Sequence, residues 1–213
     1  MSKATVVLAD DHGIVAEGIK RLLESQYEVV ATVGDGRALL AAVEKHQPDV
    51  IVADVSMPLL NGLEAVEQLR RTGCTARVIF LTMHPDVSYA ARALEVGADG
   101  YVLKHSAAGE LLTAVKEALA GRTYVTPRVQ AELQRLGRTG EASADPLARL
   151  TPRQREVLQL FAEGRLAKEV AQVLNISPRT AEFHKYRLME QLGVTTSADL
   201  VRYAVRHGLV AQE

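Results

Sequence analysis

Five polar or charged residues stand at the ends of short apolar runs in the first half of the 213-residue chain. The runs are TVVLA, VIVA, RVIFLT and GYVL, and the residues are Asp10, Asp11, Asp54, Thr82 and Lys104. Three carboxylates in one small space repel each other and require a cation, and their hard oxygens favour Mg²⁺ or a similar divalent ion. A carboxylate beside such an ion can accept a phosphoryl group as a nucleophile, while a hydroxyl and a lysine stabilise the transferred oxygens. The residue types therefore predict phosphoryl-transfer chemistry, provided that the fold brings them together.

Each of these residues also has an ordinary structural role. Acidic residues after strands commonly cap the next helix, which Asp10, Asp11 or Asp54 could do. A single lysine such as Lys104 is usually a solvated surface residue, and Thr82 suits a strand because its side chain is β-branched. The prediction of a site therefore depends on all five residues meeting at one place.

The elements that must position these residues alternate regularly over the first 120 residues. Predicted strands lie at 5–9, 28–33, 50–53, 77–82 and 100–103, and segments of helical periodicity lie at 13–25, 36–46, 61–71, 86–96 and 107–120. Strands that are apolar throughout, each followed by a helix, indicate a parallel sheet covered by helices on both faces. We therefore predict an α/β doubly wound domain with a five-stranded parallel sheet, whose ligands bind at the carboxyl ends of the strands.

The last third of the chain predicts a small all-α domain. Thr151, followed by Pro152 and Gln154, forms a capping-box pattern, and Ser177 with Pro178 starts another helix in a similar way. Ser197 is the predicted cap of a fourth helix. Only three residues, NIS, separate the second and third helices, which is typical of a helix-turn-helix.

Composition divides the chain in the same way. The first 120 residues carry an excess of acidic side chains and the remainder an excess of basic ones, although the net charge is −1. The stretch GRTGEASADP is typical of a linker. We predict a first domain at 1–121, a linker with at most a short helix (127–136) at 122–148, and a helical domain at 149–213.

No feature of the sequence predicts a secreted or membrane protein. Cys74 is the single cysteine, which excludes a disulfide framework and a thiolate metal cluster. No apolar run approaches the roughly 20 residues that span a bilayer, and the start of the chain lacks a signal-peptide core. We expect a cytoplasmic protein with no membrane partner.

Four motifs, in order along residues 4–120, resemble the receiver domain of bacterial two-component response regulators. They are LADDHG (8–13), DVSMPLLNGLEA (54–65), LTMH (81–84) and GADGYVLK (97–104). The resemblance implies a flavodoxin-like fold in which Asp54 is the phosphoacceptor. It also implies that the backbone carbonyl of Ser56 joins the three carboxylates around Mg²⁺, and that Leu59 replaces a common glycine and stiffens the loop.

The same resemblance assigns roles to three residues after Asp54. Thr82 would be the switch threonine and Lys104 the phosphate-binding lysine. Tyr101 would be the switch aromatic, whose alternative interpretation is a half-buried strand residue.

Residues 150–210 resemble the LuxR-type DNA-binding domain of the NarL/FixJ family, through the block LTPRQREVLQLFAEG…KEVAQVLNISPRTAEFHKYRLMEQLGV. The resemblance implies that the last helix makes a dimer contact and that the third helix reads double-stranded DNA. The implied DNA-binding residues are Lys168, Arg179, Thr180, Glu182, Phe183, Lys185, Tyr186 and Arg187. Met189 is expected on the exposed face of that helix, and Glu182 would either accept from a cytosine amino group or lower the affinity.

The predicted function is that of a response regulator transcription factor. A sensor histidine kinase would phosphorylate Asp54 with Mg²⁺, which would promote homodimerisation, DNA binding and regulation of RNA polymerase. The chain would not be an enzyme beyond an autophosphatase activity. Two rivals are a Mg²⁺-dependent phosphatase, disfavoured because Ser56 stands where such enzymes carry a second aspartate, and a DNA-binding protein whose receiver serves only for dimerisation.

Overall fold

The computed structural model of the protein describes residues 3–83, 87–139 and 146–210. His84 of the LTMH motif and residues 140–145 of the predicted linker lie outside the described residues. The described residues form two compact units. The first contains 3–57, 62–83 and 87–139, and the second contains 58–61 and 146–210.

The first unit is built on a parallel sheet in the strand order β2-β1-β3-β4-β5-β6. The strands are β1 (Thr5–Ala9), β2 (Glu28–Val33), β3 (Val50–Asp54), β4 (Arg77–Thr82), β5 (Gly100–Leu103) and β6 (Tyr124–Val125). The chain moves from β1 to one neighbour, β2, and then returns to the other, β3. This reversal of strand order opens a crevice at the carboxyl ends of β1 and β3.

Six helices belong to this unit. They are α1 (Gly13–Glu24), α2 (Gly36–His46), α3 (Gly62–Arg71), α4 (Val87–Glu95), α5 (Ala107–Leu119) and α6 (Pro127–Thr139). A short 3₁₀ turn, Lys104–Ser106, joins β5 to α5. Every residue of β3 is buried, because helices cover both faces of the sheet. The continuous apolar runs that predicted the strands are a consequence of this double burial.

The sheet has six strands, so the predicted number of five was wrong. β6 contains only two residues, too few to show a periodicity in the sequence. Backbone bonds nevertheless define it: Tyr124 N donates to Asp99 O (3.0 Å) and Thr126 N donates to Tyr101 O (2.9 Å). The α6 helix that follows packs against α4. The first part of the predicted linker is therefore an ordered part of the first unit.

The second unit is helical, with α7 (Pro152–Ala162), α8 (Ala167–Leu174), α9 (Pro178–Leu192) and α10 (Ser197–Arg206), preceded by a 3₁₀ turn at Pro146–Arg149. The predicted capping box of α7 is present, with mutual bonds between Thr151 and Gln154. Asn175 ends α8 in the left-handed conformation (φ 52°). The α8–turn–α9 arrangement confirms the predicted helix-turn-helix.

Two predictions about this unit were wrong in detail. Thr196, and not Ser197, caps α10, because its hydroxyl accepts from Asp199 N (3.1 Å) while the Asp199 carboxylate accepts from Thr196 N (3.1 Å). Met189 is 9% exposed and lies in the core, not on the exposed face. Because α9 packs against both α7 and α8, a larger part of its surface is buried than a single row of side chains, and Met189 falls within that part.

No helix within the described ranges is long and apolar enough to cross a membrane.

Candidate functional sites: an acidic pocket and an exposed helix

The carboxyl ends of β1, β3 and β5 bring two carboxylates and a lysine into direct contact. Lys104 Nζ donates to Asp54 Oδ2 at 2.6 Å and lies 2.8 Å from Asp10 Oδ2. Asp10 and Asp54 are each only 3% exposed. Buried charges of this kind are rare unless they are paired, so this contact does not fit the alternative of a solvated surface lysine. Lys104 is 50 residues from Asp54 in the sequence, and only the sheet joins them.

His12, which was not among the predicted site residues, completes the pocket. The Nδ1 atom of His12 lies 2.9 Å from Asp11 Oδ1, 3.4 Å from Asp10 Oδ1 and 3.8 Å from Asp54 Oδ2. One ligand atom from each of these four residues lies within 4.8 Å of the others. The sequence signal was available, since His12 directly follows the aspartate pair.

The residues of the pocket fit a divalent cation. Asp10, Asp11 and Asp54 supply hard carboxylate oxygens, which is the ligand chemistry that Mg²⁺ prefers. Ser56, whose carbonyl is the predicted fourth oxygen ligand, lies beside the group, and its backbone N–H donates to Asp54 Oδ1 at 3.2 Å. Three acidic groups against Lys104 leave an excess of negative charge that a bound cation would neutralise.

Burial dominates the electrostatics of Asp54. It raises the pKa of Asp54, and the repulsion from Asp10 acts in the same direction, while the charge and hydrogen bond of Lys104 oppose the rise without cancelling it. Burial alone would lower the pKa of Lys104, but the attraction and hydrogen bonds of Asp54 and Asp10 outweigh it, so the pKa rises. Without a cation, the ionised Asp54 is therefore held at a cost in free energy.

The loop after Asp54 is constrained by close backbone contacts. A Cβ atom added to Gly62 would lie 2.0 Å from the carbonyl oxygen of Asp54, so only glycine fits there. Gly62 N also donates to Val55 O at 2.9 Å. Leu59 has a φ of 66°, in the left-handed region that favours glycine, so the leucine holds a backbone conformation that glycine would adopt with less strain.

The two predicted switch residues are buried in the sheet. Thr82 and Tyr101 are both 0% exposed. Thr82 pairs with Leu103 across β4 and β5, whereas Tyr101 pairs with Phe80 on one side and with Val125 of β6 on the other. The alternative of a half-buried Tyr101 was therefore wrong, because β6 and the helices enclose it completely. Its role as a switch stays a prediction.

The α9 helix presents large side chains to solvent. Ser177 Oγ caps it by accepting from Thr180 N at 3.1 Å, with Pro178 at the first helical position. Phe183 is 56% exposed and Tyr186 is 66% exposed. Exposed aromatic groups that no neighbouring element covers usually mark a contact surface.

Most of the predicted DNA-binding residues lie on accessible parts of α8 and α9. The exposed ones are Lys168, Arg179, Glu182, Phe183, Tyr186 and Arg187. The Arg187 guanidinium lies 5.7 Å from the centre of the Phe183 ring. Lys185 and Thr180 are only partly exposed, because Lys185 Nζ lies over the Phe161 ring at 5.2 Å and the Thr180 hydroxyl is bonded to Ser177 Oγ at 2.7 Å.

Both units match families of known proteins. Residues 6–116 match the response regulator receiver domain, and residues 148–204 match the bacterial regulatory proteins of the luxR family. The transcriptional regulatory protein MctR of Rhizobium johnstonii is 38% identical over 212 residues, which cover 99% of this chain and 97% of MctR. The oxygen regulatory protein NreC of Staphylococcus carnosus is 35% identical over 213 residues, covering 96% and 98%.

Solved structures show the same architecture. A structure of the response regulator RcsB of Salmonella typhimurium has 31% sequence identity and a TM-score of 0.66, covering 97% of this chain and 99% of RcsB. An RcsB–DNA complex matches with 31% identity and a TM-score of 0.60, covering 95% of this chain and 98% of RcsB. The chain belongs to the response regulator transcription factors that join a receiver domain to a LuxR-family DNA-binding domain.

Proposed function

We propose that a sensor histidine kinase phosphorylates Asp54 and that the phosphorylated protein dimerises and binds specific DNA sites. The observation that carries this proposal is the contact of Asp54 with Lys104 inside a pocket of three carboxylates. Asp54 acts as a stoichiometric acceptor, which agrees with the name of the relative MctR, a transcriptional regulatory protein.

In the proposed reaction, a carboxylate oxygen of Asp54 attacks the phosphorus of a phosphohistidine on the kinase. The new P–O bond forms as the P–N bond breaks, and the leaving imidazole takes up a proton from solvent. Lys104 moves from its bond with the carboxylate to an oxygen of the transferred group, and Thr82 donates its hydroxyl to another. The pocket then holds a phosphoryl group covalently attached to Asp54, where it previously held a free carboxylate.

Mg²⁺ would be held by Asp10, Asp11, Asp54 and the Ser56 carbonyl. When bound, it supplies positive charge to the phosphoryl oxygens and neutralises the acidic pocket. The chain's own contribution is to fix Asp54 by the Ser56 N–H and the Lys104 ammonium, and to exclude bulk water from a carboxylate that is 3% exposed.

The proposed response passes through the interior of the sheet. Thr82, drawn towards the phosphoryl group, would leave space beside Tyr101, which is enclosed by β6. Because α6 packs against α4 and follows β6 directly, a change at Tyr101 would alter the α4–α6 surface and favour the dimer.

The proposed DNA reader is the exposed face of α9. Phe183, Tyr186 and Glu182 would lie against base edges, while Lys168, Arg179 and Arg187 would bind phosphates. The RcsB–DNA complex supports DNA binding by this chain, because that relative has the same two-domain architecture. Lys185 and Thr180 are weaker candidates, since each is engaged by an internal contact.

A phosphorylation assay tests the proposal. Full-length protein is incubated with acetyl phosphate and Mg²⁺, separated on a Phos-tag gel, and assayed for binding to DNA fragments selected from a random pool. We expect a shifted band and tighter DNA binding for the wild type, and neither for Asp54→Asn.

Asp35→Asn is the matched control. Its side chain caps α2 by accepting from Ala38 N at 2.8 Å, and asparagine caps equally well. An unshifted wild-type band would support a receiver that serves only for dimerisation, and release of phosphate from external esters in many turnovers would support a phosphatase. Either result would overturn the proposed function.

A further inference from the structure

We propose that His12 is an additional ligand of the pocket cation, and that it shifts the metal preference of this receiver towards first-row transition ions such as Mn²⁺ and Co²⁺. The inference rests on the metal site of the proposed function. It goes beyond that site because it adds a nitrogen ligand to a set of oxygens and thereby names a different class of cation.

The position of the imidazole carries this inference. His12 Nδ1 lies within 3.8 Å of an oxygen of each of the three carboxylates. In an octahedral site with ligands at about 2.1 Å, adjacent ligand atoms are about 3.0 Å apart. The 2.9 Å between Nδ1 and Asp11 Oδ1 has the spacing of two adjacent ligands of one ion.

The backbone of His12 is held while its ring has room to turn. His12 N donates to Asp10 Oδ1 at 2.9 Å, and its carbonyl accepts from Ala16 N at 2.9 Å at the start of α1. The side chain is 56% exposed. The ring can therefore present Nδ1 to an ion without a movement of the chain.

The structural role expected of a residue at this position is absent. His12 occupies the N-cap position of α1, yet its side chain makes no capping hydrogen bond. Its close polar neighbours are the same carboxylates that would bind the ion. The imidazole is therefore directed to the pocket and not to the helix.

Ligand chemistry explains why the identity of the ion would change. Mg²⁺ prefers oxygen and retains its waters, whereas imidazole nitrogen suits manganese, cobalt, nickel and zinc. In the tautomer with its proton on Nε2, Nδ1 offers a lone pair that replaces one water. Replacing a coordinated water by this nitrogen strengthens the binding of a transition ion but strengthens the binding of Mg²⁺ little.

The test compares two ions on three full-length proteins freed of metal by chelation. Dissociation constants for Co²⁺ and for Mg²⁺ are measured by titration calorimetry on wild type, His12→Ala and the control His46→Ala. His46 ends α2, near the opposite end of the sheet from the pocket. We expect His12→Ala to weaken Co²⁺ binding roughly tenfold or more, to change Mg²⁺ binding by less than about twofold, and His46→Ala to change neither.

A spectroscopic measurement identifies the ligand itself. Electron spin echo spectra of bound Mn²⁺ detect a directly coordinated nitrogen. We expect a nitrogen coupling in the wild type and in His46→Ala, and its loss in His12→Ala.

The failure of this inference can be told apart from that of the proposed function. If Mg²⁺ binds and Asp54 is phosphorylated, but His12→Ala affects both ions equally or the nitrogen coupling is absent, only the role of His12 is wrong. If neither ion binds to the wild type, the metal site of the proposed function is wrong as well.

Discussion

The acidic pocket and the exposed face of α9 carry two functions by opposite physical means. The pocket buries its charges, with Asp10 and Asp54 each 3% exposed and Lys104 paired to both. The α9 face leaves Phe183 and Tyr186 more than half exposed. Asp10 and Asp54 are therefore also residues of the core, whereas an exposed residue of α9 can change with little effect on folding. The comparison predicts that substitutions of buried pocket residues change both stability and function, whereas substitutions on the exposed face of α9 change function alone.

The largest expected effect is the loss of the pocket lysine. Lys104→Met leaves two buried carboxylates without their cation, and breaking a buried ion pair costs about 3–5 kcal/mol. We expect a loss of that size in the free energy of opening of β1 and β3, measured by hydrogen exchange in the absence of divalent ions. Mg²⁺ should restore part of it, because a bound cation replaces the missing charge.

Lys116→Met, on the exposed face of α5, is the control and should change stability by less than about 0.5 kcal/mol. If Lys104→Met were equally harmless, the pocket would tolerate unpaired charge and the comparison between the two regions would fail.

The backbone at the pocket should be nearly as sensitive. Gly62→Ala places a methyl group 2.0 Å from Asp54 O, which forces α3 away from β3. We expect a loss of about 2–3 kcal/mol, typical of overpacking in a dense core. Gly18→Ala in α1 meets no atom within 4 Å, and it should instead stabilise the helix by roughly 0.5–1 kcal/mol. Hydrogen exchange measures the change in stability of both variants. Equal changes for Gly62→Ala and Gly18→Ala would contradict the close contact between Gly62 and Asp54 O.

Removing the acceptor charge should stabilise the metal-free protein. The pKa of Asp54 is raised above its ordinary 3.8, so its contribution to stability is present below that pH and is lost as pH rises through the folded-state pKa. An asparagine side chain does not titrate, and we expect Asp54→Asn to gain about 1 kcal/mol at neutral pH. The pKa of Lys104 is raised above its ordinary 10.5, so the contribution of Lys104 to stability stays constant at every pH below that value.

Thermal unfolding of both proteins from about pH 4 to about pH 8 measures this effect. The difference between them should grow as the pH rises. A difference that shrinks with rising pH would mean that Lys104 outweighs burial, and that Asp54 is stabilised as an anion without metal.

The smallest effect on stability is expected on α9. Phe183→Ala combined with Tyr186→Ala should change the free energy of unfolding by about 0.5 kcal/mol or less, yet weaken specific DNA binding roughly tenfold or more. Leu188→Ala on the buried side of the same helix should cost about 2–5 kcal/mol. Fluorescence anisotropy on a selected DNA fragment and hydrogen exchange of α9 give both quantities. A large loss of stability in the aromatic double variant would remove the distinction between the regions.

The sequence predicted the first five strands to within one residue, because helices cover both faces and leave continuous apolar runs. It did not predict β6, which has two residues and is defined by bonds to Tyr101 and Asp99. It placed the α10 cap one residue too late, since Thr196 and Ser197 both carry a hydroxyl and only the position of Asp199 selects between them. His12 was missed although it directly follows the aspartate pair, because only the structure shows that its ring lies within 3.8 Å of three carboxylates.

By itself, the sequence determined which residues end the strands, that the second unit is helical with Thr151 as the cap of its first helix, and to which family the motifs are similar. Those properties are local, since they depend on periodicity, capping and residue type. Only the tertiary structure decided that Lys104 meets Asp54, that His12 faces three carboxylates and that Met189 turns inwards. It also decided that burial outweighs Lys104 in setting the pKa of Asp54, because the energy of a charge depends on everything packed around it.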